Sequence, residues 1–307
     1  MSDKLVKLLF PEKNCRAAVL HMDEAWQTMT KNQHLPEPVK LLLGQMCAGA
    51  VLLAGSLKFD GALVLQLQGD GPVRLALVEV RTGLVVRATA QLRVTPEDVP
   101  ATAAFKDLVN ATGHGRCAMI LDAADRRPGE EPYQGVVALE DAGVAATLES
   151  YMTHSEQLMT RLWLAADEAA VGGVMLQRMP ESGGLVTSAA EQPEDESFES
   201  LTVLAQTVRA EELTKLEADT VAKRLFWEDN PHVLATLTPV FRCRCSKQGI
   251  EAMVRNLGQS EAEKIIAERG TVDVTCEFCG AHYVLDSVDV GALFCNGTTQ
   301  GSSTARN

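Results

Sequence analysis

Two close pairs of cysteines near the C-terminal end restrict the folding of this 307-residue chain more than any other feature. Cys243 and Cys245 form the first pair, and Cys276 and Cys279 form the second after 30 intervening residues. Two thiol pairs separated by a spacer long enough to fold are typical of a tetrahedral zinc site. The sequence therefore predicts one Zn(II) ion per chain, bound by these four sulfurs.

The residues around the second pair predict a β-hairpin. The strand-like segments TVDVT and AHYVL flank Cys276 and Cys279, and Gly280 permits the left-handed backbone that a tight turn needs. The spacer between the pairs is typical of two short helices. In the second of them, Ser260 and Glu263 stand at capping-box spacing.

Two kinds of chemistry fit this pattern poorly. Four thiolates leave no open coordination position, so a catalytic zinc is not expected. A thioredoxin-type CxxC opens a helix after a strand, whereas Cys276 and Cys279 lie in a predicted hairpin. His282 lies close enough to Cys279 to compete as a ligand, but with four thiols available we expect it at the surface or outside the first ligand shell.

The predicted module is small, and this makes its stability depend on the metal. A unit of about 50 residues rarely buries enough core to fold alone. Zinc binding supplies on the order of 10–16 kcal/mol to such domains, and it requires thiolates. An oxidant that forms disulfides would therefore remove the ligands and unfold the module together. From the spacing alone, a purely structural zinc site remains the other interpretation.

The first part of the chain is predicted to be an α+β domain, with an antiparallel sheet packed by helices. Apolar runs begin at Leu63, Val73 and Leu84, and the turn sequences GDGP and RTG between them are short enough to join antiparallel neighbours. A helix opened by prolines is expected over residues 36–54. Further strands are expected over 117–121, 133–139 and 171–179, and a helix over 141–157.

Composition changes after this domain. The segment that begins at Glu181 is rich in Gly, Ser, Pro and acidic residues, and residues 201–227 have apolar residues at helical spacing but are half polar. The predicted organisation is an N-terminal core over 1–187, a metastable helical linker over 188–238, a four-cysteine zinc module over 239–290 and a disordered tail over 291–307.

Charge and composition disfavour several functions. The formal net charge of −13 repels phosphate backbones and anionic membranes, and aromatic residues are only 5% of the chain, so no nucleic-acid partner is expected. The apolar stretch over residues 39–54 is too short to span a membrane and contains Lys40 and Gln45, which favours a buried helix. No secretory signal is recognisable.

The expected location is therefore the cytoplasm, where cysteines begin reduced. The scattered Cys15, Cys47 and Cys117 are expected to be small buried hydrophobes, and Cys295 a spare thiol.

The chain resembles the heat-shock protein 33 family, the redox-regulated holdase chaperones. The resemblance rests on the CxC and CxxCG pairs with a following aromatic residue, and it covers about residues 5–290. It extends to three stretches of the N-terminal domain, namely LKFDGALVLQLQGDGP from Leu57, YQGVVALE from Tyr133 and SEQLMTRL from Ser155. Met159 stands where the family usually has proline.

This resemblance implies a chaperone rather than an enzyme. It implies Zn(II) on Cys243, Cys245, Cys276 and Cys279 in a reduced, inactive state. Oxidation would pair Cys276 with Cys279 and Cys243 with Cys245, release zinc and unfold the linker. The active form would dimerise, bind unfolding client proteins without ATP, and pass them to an ATP-dependent chaperone system of the heat-shock protein 70 type.

Two other hypotheses remain open from the residues. One is an interaction or nucleic-acid-binding module with a structural zinc ribbon. The other is a thiol oxidoreductase, which insulin reduction or glutathione turnover would reveal.

Overall fold

The structure, a computed structural model, describes residues 2–57, 60–127, 129–179 and 196–295. The chain forms two compact units, Met1–Arg242 and Cys243–Asn307, which are called unit 1 and unit 2 below. The Gly-, Ser- and acid-rich composition predicted to begin a linker at Glu181 falls mostly outside the described residues, as does the predicted tail beyond Cys295.

Unit 1 contains eleven strands and seven helices within the part of the chain that the structure describes. In chain order they are β1 (Lys4–Phe10), β2 (Cys15–Met22), α1 (Glu24–Thr30), α2 (Glu37–Ser56), β3 (Gly61–Gln68), β4 (Val73–Arg81), β5 (Val85–Leu92), α3 (Phe105–Val109), β6 (Arg116–Ala123), β7 (Tyr133–Ala138), α4 (Val144–His154), β8 (Thr160–Ala166), β9 (Val171–Arg178), α5 (Glu196–Ala205), α6 (Ala210–Lys215), α7 (Ala218–Phe226), β10 (His232–Leu237) and β11 (Val240–Phe241).

The strands form two sheets. Sheet A has the order β10-β1-β2-β9-β8 and is antiparallel throughout. Sheet B has the order β11-β5-β4-β3-β6-β7, antiparallel except for the β5–β11 pair. The predicted α+β class with antiparallel sheets packed by helices is confirmed. The prediction missed β1, β2, β8 and β10, so it did not anticipate sheet A as a separate layer.

Helix α2 lies between the two sheets and contacts strands of both. Its residues are buried around almost the whole circumference, including Leu43, Met46 and Leu52. A helix that is apolar on all sides is stable in water only when it is enclosed by other elements. Helix α2 is long and apolar enough to span a membrane, but most of its apolar stretch is buried within the protein. The prediction of a buried helix here is confirmed.

The outer face of sheet A is covered by helices α5–α7, which lie within the predicted linker. Alternate residues of β2 separate the two faces, because Ala18 and Leu20 pack toward α2 whereas Ala17 and Val19 pack toward α5–α7. Other sheet residues on this outer face are Val6, Leu8, Phe10, Val174 and Leu176. We call these apolar residues, with Ala17 and Val19, the linker-covered face.

Aromatic and charged contacts attach helix α7 to strand β1. The rings of Phe10 and Phe226 meet edge to face with centroids 5.3 Å apart, and both side chains are fully buried. Lys4 also pairs with Asp219 at 2.5 Å, although both groups are partly exposed to solvent. The aromatic contact therefore contributes more to docking than the ion pair does.

Helix α6 is attached by a close backbone approach. The Leu213 carbonyl oxygen lies 3.2 Å from Nδ1 of the buried His21 on β2. A Cβ atom built on Gly172 of β9 would overlap that same carbonyl group. Glycine at position 172 thus permits α6 to lie against sheet A.

Unit 2 is a small α+β module. Its elements are α8 (Lys247–Leu257), α9 (Gln259–Arg269), β12 (Val272–Thr275), β13 (His282–Leu285) and α10 (Ser287–Cys295). The core of the module consists of few side chains, namely Val254, Ala262, Val272, Leu285, Val290 and Leu293. So small a core supports the expectation that the module needs a further source of folding energy.

Two local predictions in unit 2 are wrong. Helix α9 begins after Gly258 and has no side-chain cap, so Ser260 lies inside the helix and forms no capping box. The tail predicted from Gly291 begins as a helix, because α10 continues to Cys295. Asp286 caps α10 by accepting bonds from the backbone amides of Val288 and Asp289, at 2.9 and 2.8 Å.

We expect Gly172→Ala to loosen helix α6, because the added methyl group overlaps the Leu213 carbonyl. Overpacking of this kind costs about 1–3 kcal/mol. Hydrogen exchange of the amides over residues 210–215 should speed up while exchange in sheet B stays unchanged. Gly291→Ala is the matched control, since a Cβ there meets no atom within 4 Å. Equal exchange in the two variants would contradict the assigned role of Gly172.

Candidate metal centre

The structure brings the four predicted cysteines together. Sγ of Cys243 lies 3.4 Å from Sγ of Cys245 and 3.6 Å from Sγ of Cys276, and Sγ of Cys245 lies 3.4 Å from Sγ of Cys279. All four sulfurs lie within 4.8 Å of one another, and all four residues are partly buried. Pairs that are 33 or 34 residues apart in sequence thus form a single cluster.

The elements around each pair fix its geometry. Ser246, directly after Cys245, caps α8 by accepting a hydrogen bond from the Gly249 amide at 3.1 Å. The second pair occupies the turn between β12 and β13, where the Cys276 amide donates to the Ala281 carbonyl at 2.9 Å. Gly280 has φ of +68°, so the prediction of a left-handed glycine in a hairpin knuckle is confirmed.

Electrostatics within the cluster explain why it suits a cation. Burial raises the pKa of the Cys279 thiol, and the neighbouring thiols raise it further. Burial also acts upward on Cys245, but hydrogen bonds from Tyr283 and from neighbouring thiols outweigh it and lower the pKa of Cys245 to about 7. Without a cation, four thiolates at this spacing would repel one another, so full ionisation requires a positive ion among them.

The donor set and spacing fit zinc. A tetrahedral ion with Zn–S bonds of roughly 2.3 Å places its sulfurs about 3.8 Å apart, close to the separations in this cluster. All-thiolate sites of this kind are characteristic of structural zinc. The four cysteines could therefore hold one metal ion, and the arrangement is compatible with zinc.

Two residues that follow the second pair lie on opposite faces of β13. His282 is exposed, and its Nε2 lies 3.3 Å from Asp273 Oδ1, so it points away from the sulfurs. This agrees with the expectation of a surface position. Tyr283 faces the cluster and donates a hydrogen bond from its hydroxyl to Cys245 Sγ at 3.2 Å. That bond raises the pKa of the Tyr283 phenol to about 12.

The sequence argument did not single out Tyr283. Strand alternation in HYVL offers the signal, because the buried Leu285 and Tyr283 share one face of β13. The partner of the phenol, however, is 38 residues away in the chain.

The scattered cysteines lie away from the cluster in unit 1. Cys15, Cys47 and Cys117 are buried, as expected of small hydrophobic side chains. Burial raises the pKa of the Cys117 thiol to about 12 and also raises that of Cys47. Such thiols are poor nucleophiles at neutral pH. Cys295 is the last residue of α10.

The fold and the sulfur cluster together define a two-unit protein, in which an α+β core precedes a small module whose four clustered cysteines could hold a metal ion. The sequence matches the family described as Hsp33 protein over residues 3–286. The chain belongs to the Hsp33 family, and the resemblance drawn from its motifs is confirmed.

Known relatives agree along almost the full length. The chain is 36% identical to the 33 kDa chaperonin of Methylobacillus flagellatus over 96% of this chain and 95% of that protein. It is 37% identical to the 33 kDa chaperonin of Chromobacterium violaceum over 95% of this chain and 94% of that protein. The fold is similar to the crystal structure of the Thermotoga maritima 33 kDa chaperonin. That match has a TM-score of 0.78 and 20% identity, over 98% of this chain and 100% of that one.

We expect the reduced protein to bind one zinc ion per chain with four sulfur ligands at roughly 2.3 Å. X-ray absorption and elemental analysis measure the ligand set and the stoichiometry. Replacing Cys15, Cys47 or Cys117 by Ser should leave the metal bound, whereas Cys276→Ser should lower the affinity strongly. Nitrogen or oxygen in the first shell would contradict the assignment.

Proposed function

We propose that this protein is a redox-regulated, ATP-independent holdase chaperone that is inactive while reduced and zinc-bound. The observation that carries the proposal is the cluster of four thiols within 4.8 Å in a module with a very small core. Membership of the Hsp33 family supports the chaperone activity, because curated relatives are named 33 kDa chaperonin.

In the reduced state, Cys243, Cys245, Cys276 and Cys279 would hold one Zn(II), which supplies charge neutralisation and folding energy to unit 2. The chain provides the rest of the site. Ser246 fixes the start of α8 beside the first pair, and Gly280 closes the hairpin that carries the second pair. Unit 2 is thus folded only while its thiolates are intact.

Oxidation removes those thiolates. Attack by one thiolate on hydrogen peroxide gives a sulfenic acid and hydroxide, and attack by its partner thiolate on the sulfenic sulfur gives a disulfide and a second hydroxide. Each pair thus gives two electrons to one peroxide molecule, and two protons convert the hydroxides into water. The proposed pairs are Cys276–Cys279 and Cys243–Cys245. The four cysteines would then no longer hold zinc, because a disulfide sulfur is a poor ligand for it.

The apolar surface for client binding would come from the linker-covered face. Helices α5, α6 and α7 have 10, 6 and 9 residues, and isolated helices of that length are marginal in water. Their stability therefore depends on docking. Strand β11 ends two residues before Cys243. Loss of structure in unit 2 would therefore start close in sequence to the end of the linker segment.

Release of α5–α7 would expose Val6, Leu8 and Phe10 on β1 and Val174 and Leu176 on β9. A continuous apolar surface of that kind binds unfolding chains without ATP, because the driving force is burial of apolar area. The partners proposed are thus unfolding client proteins, a second copy of the oxidised chain, and a chaperone system of the heat-shock protein 70 type that receives the clients. The proposed location is the cytoplasm.

The alternative is a chaperone-unrelated interaction or nucleic-acid module with a structural zinc ribbon. The exposed polar surface of unit 2 would then be the functional part, and the net charge of −13 disfavours a nucleic acid.

One experiment separates these functions: zinc content and suppression of client aggregation are measured before and after peroxide at elevated temperature. Joint zinc loss and gain of activity support the switch. Retention of RNA or DNA at physiological salt with no holdase activity would support the alternative.

A charge in the docking surface should activate the chaperone without oxidant. Leu201 on α5 is fully buried against the linker-covered face, so Leu201→Asp should weaken docking by about 3 kcal/mol. The reduced variant should keep its zinc and suppress aggregation. Val203→Asp, on the same helix at a side chain that is 60% exposed, is the control. If reduced Leu201→Asp suppresses aggregation no better than the control does, docking of the linker does not control the chaperone activity.

The two disulfides should form in order. Cys276 and Cys279 lie on a short hairpin, whereas Cys243 and Cys245 follow the short strand β11 and lie close in sequence to the end of the linker segment. We expect peroxide at moderate temperature to form Cys276–Cys279 first, and Cys243–Cys245 only as the linker unfolds. Time-resolved alkylation with mass spectrometry measures this. Detection of oxidised Cys243–Cys245 with Cys276 and Cys279 still reduced and metal-bound would refute the order.

A further inference from the structure

Tyr283 connects the two halves of the sulfur cluster. It lies on β13 opposite Val274 of β12, and its hydroxyl donates to Cys245 Sγ at 3.2 Å. The phenol therefore belongs to the hairpin of the second cysteine pair, but its hydrogen bond reaches a sulfur of the first pair. A residue outside the ligand set thus contacts the pair that is proposed to oxidise last.

Two further hydrogen bonds to sulfur have a different origin. Cys243 Sγ accepts a bond from the backbone amide of Cys245, and Cys279 Sγ accepts one from the backbone amide of Ala281. Both donors lie within two residues of the sulfur they serve, so they move with it. The Tyr283 donor to Cys245 is a side chain from a separate element, so it is lost when β13 moves away.

A hydrogen bond to a metal-bound thiolate withdraws electron density from the sulfur, and this lowers its nucleophilicity toward peroxide and alkylating agents. We propose that Tyr283 is a positioning residue that protects Cys245 from oxidation until the hairpin has been displaced. This inference rests on the proposed zinc-thiolate switch. It adds that the hydrogen bond from Tyr283 to Cys245 sets the order of the two oxidations.

The protection ends when the hairpin moves, because Tyr283 and the second cysteine pair lie on the same hairpin. Formation of the Cys276–Cys279 disulfide consumes one peroxide, two thiolates and two protons and yields two waters. It removes two ligands and frees β12 and β13, and the phenol leaves with them. Cys245 then lacks its side-chain donor and becomes reactive, so the second oxidation of the same stoichiometry follows the first.

Tyr283→Phe tests the role, because it removes only the hydroxyl and keeps the ring. Tyr133→Phe is the matched control, since that tyrosine is 51% exposed on β7 in unit 1 and donates to Glu156. Three quantities are measured on the full reduced chain. They are zinc per chain, the rate of Cys245 alkylation with zinc bound, and the energy of the sulfur-to-metal charge-transfer band after substitution with Co(II).

We expect Tyr283→Phe to keep one zinc per chain, to react at Cys245 roughly threefold to tenfold faster, and to shift the Co(II) band to lower energy. Peroxide should then give a mixture of first disulfides. Tyr133→Phe should match the wild type in all three measurements.

Unchanged alkylation and an unchanged band in Tyr283→Phe would overturn the protective role. Zinc binding below one per chain in Tyr283→Phe would also overturn it, because Tyr283 would then act only by holding the module together. If the wild type itself binds no zinc, the proposed switch fails, which is a distinct result from failure of the tyrosine role.

Discussion

The packing of helices α5–α7 against sheet A controls how much apolar surface unit 1 presents to water. Sheet A alternates apolar residues toward both faces, and α2 covers one of them. The other face depends on three short helices, of which none is long enough to be stable alone. Close approach at Gly172 and the edge-to-face contact of Phe10 with Phe226 hold them in place. Docking and local helix formation therefore occur together, and both are lost together.

The folding of unit 2 is proposed to depend in a similar way on a bound cation. Its core has six buried apolar side chains, which is too few to offset the conformational entropy of the segment. In the proposed function, a cation bound by the four thiolates of the sulfur cluster would supply the missing free energy. On that proposal, two conditionally folded segments follow one another in the chain. The stable part is the core enclosed by sheets A and B.

Local sequence patterns predicted the elements whose contacts are local. The GDGP and RTG turns between β3, β4 and β5, the buried helix α2 and the hairpin knuckle at Gly280 all follow from neighbouring residues. Strand β10 was missed because its pairing partner, β1, lies at the opposite end of unit 1 in the sequence. Helix α10 was missed because Gly291, which lies inside it, was predicted to start the tail. The start of this helix depends on the Asp286 cap. At the site, the clustering of the four cysteines followed from spacing, but the hydrogen bond of Tyr283 to Cys245 required the folded hairpin.

The pairing of β1 with β10 also has a consequence for biosynthesis. Leu5 is opposite Leu237 in sheet A, so β1 is synthesised long before the strand with which it pairs. Helices α5–α7 emerge after β1, β2, β8 and β9 but before β10. The nascent chain therefore carries the same uncovered apolar face that the proposed activation exposes in the finished protein. Translation is thus a second period, besides oxidative stress, in which this chain has to avoid associating with other unfolded polypeptides.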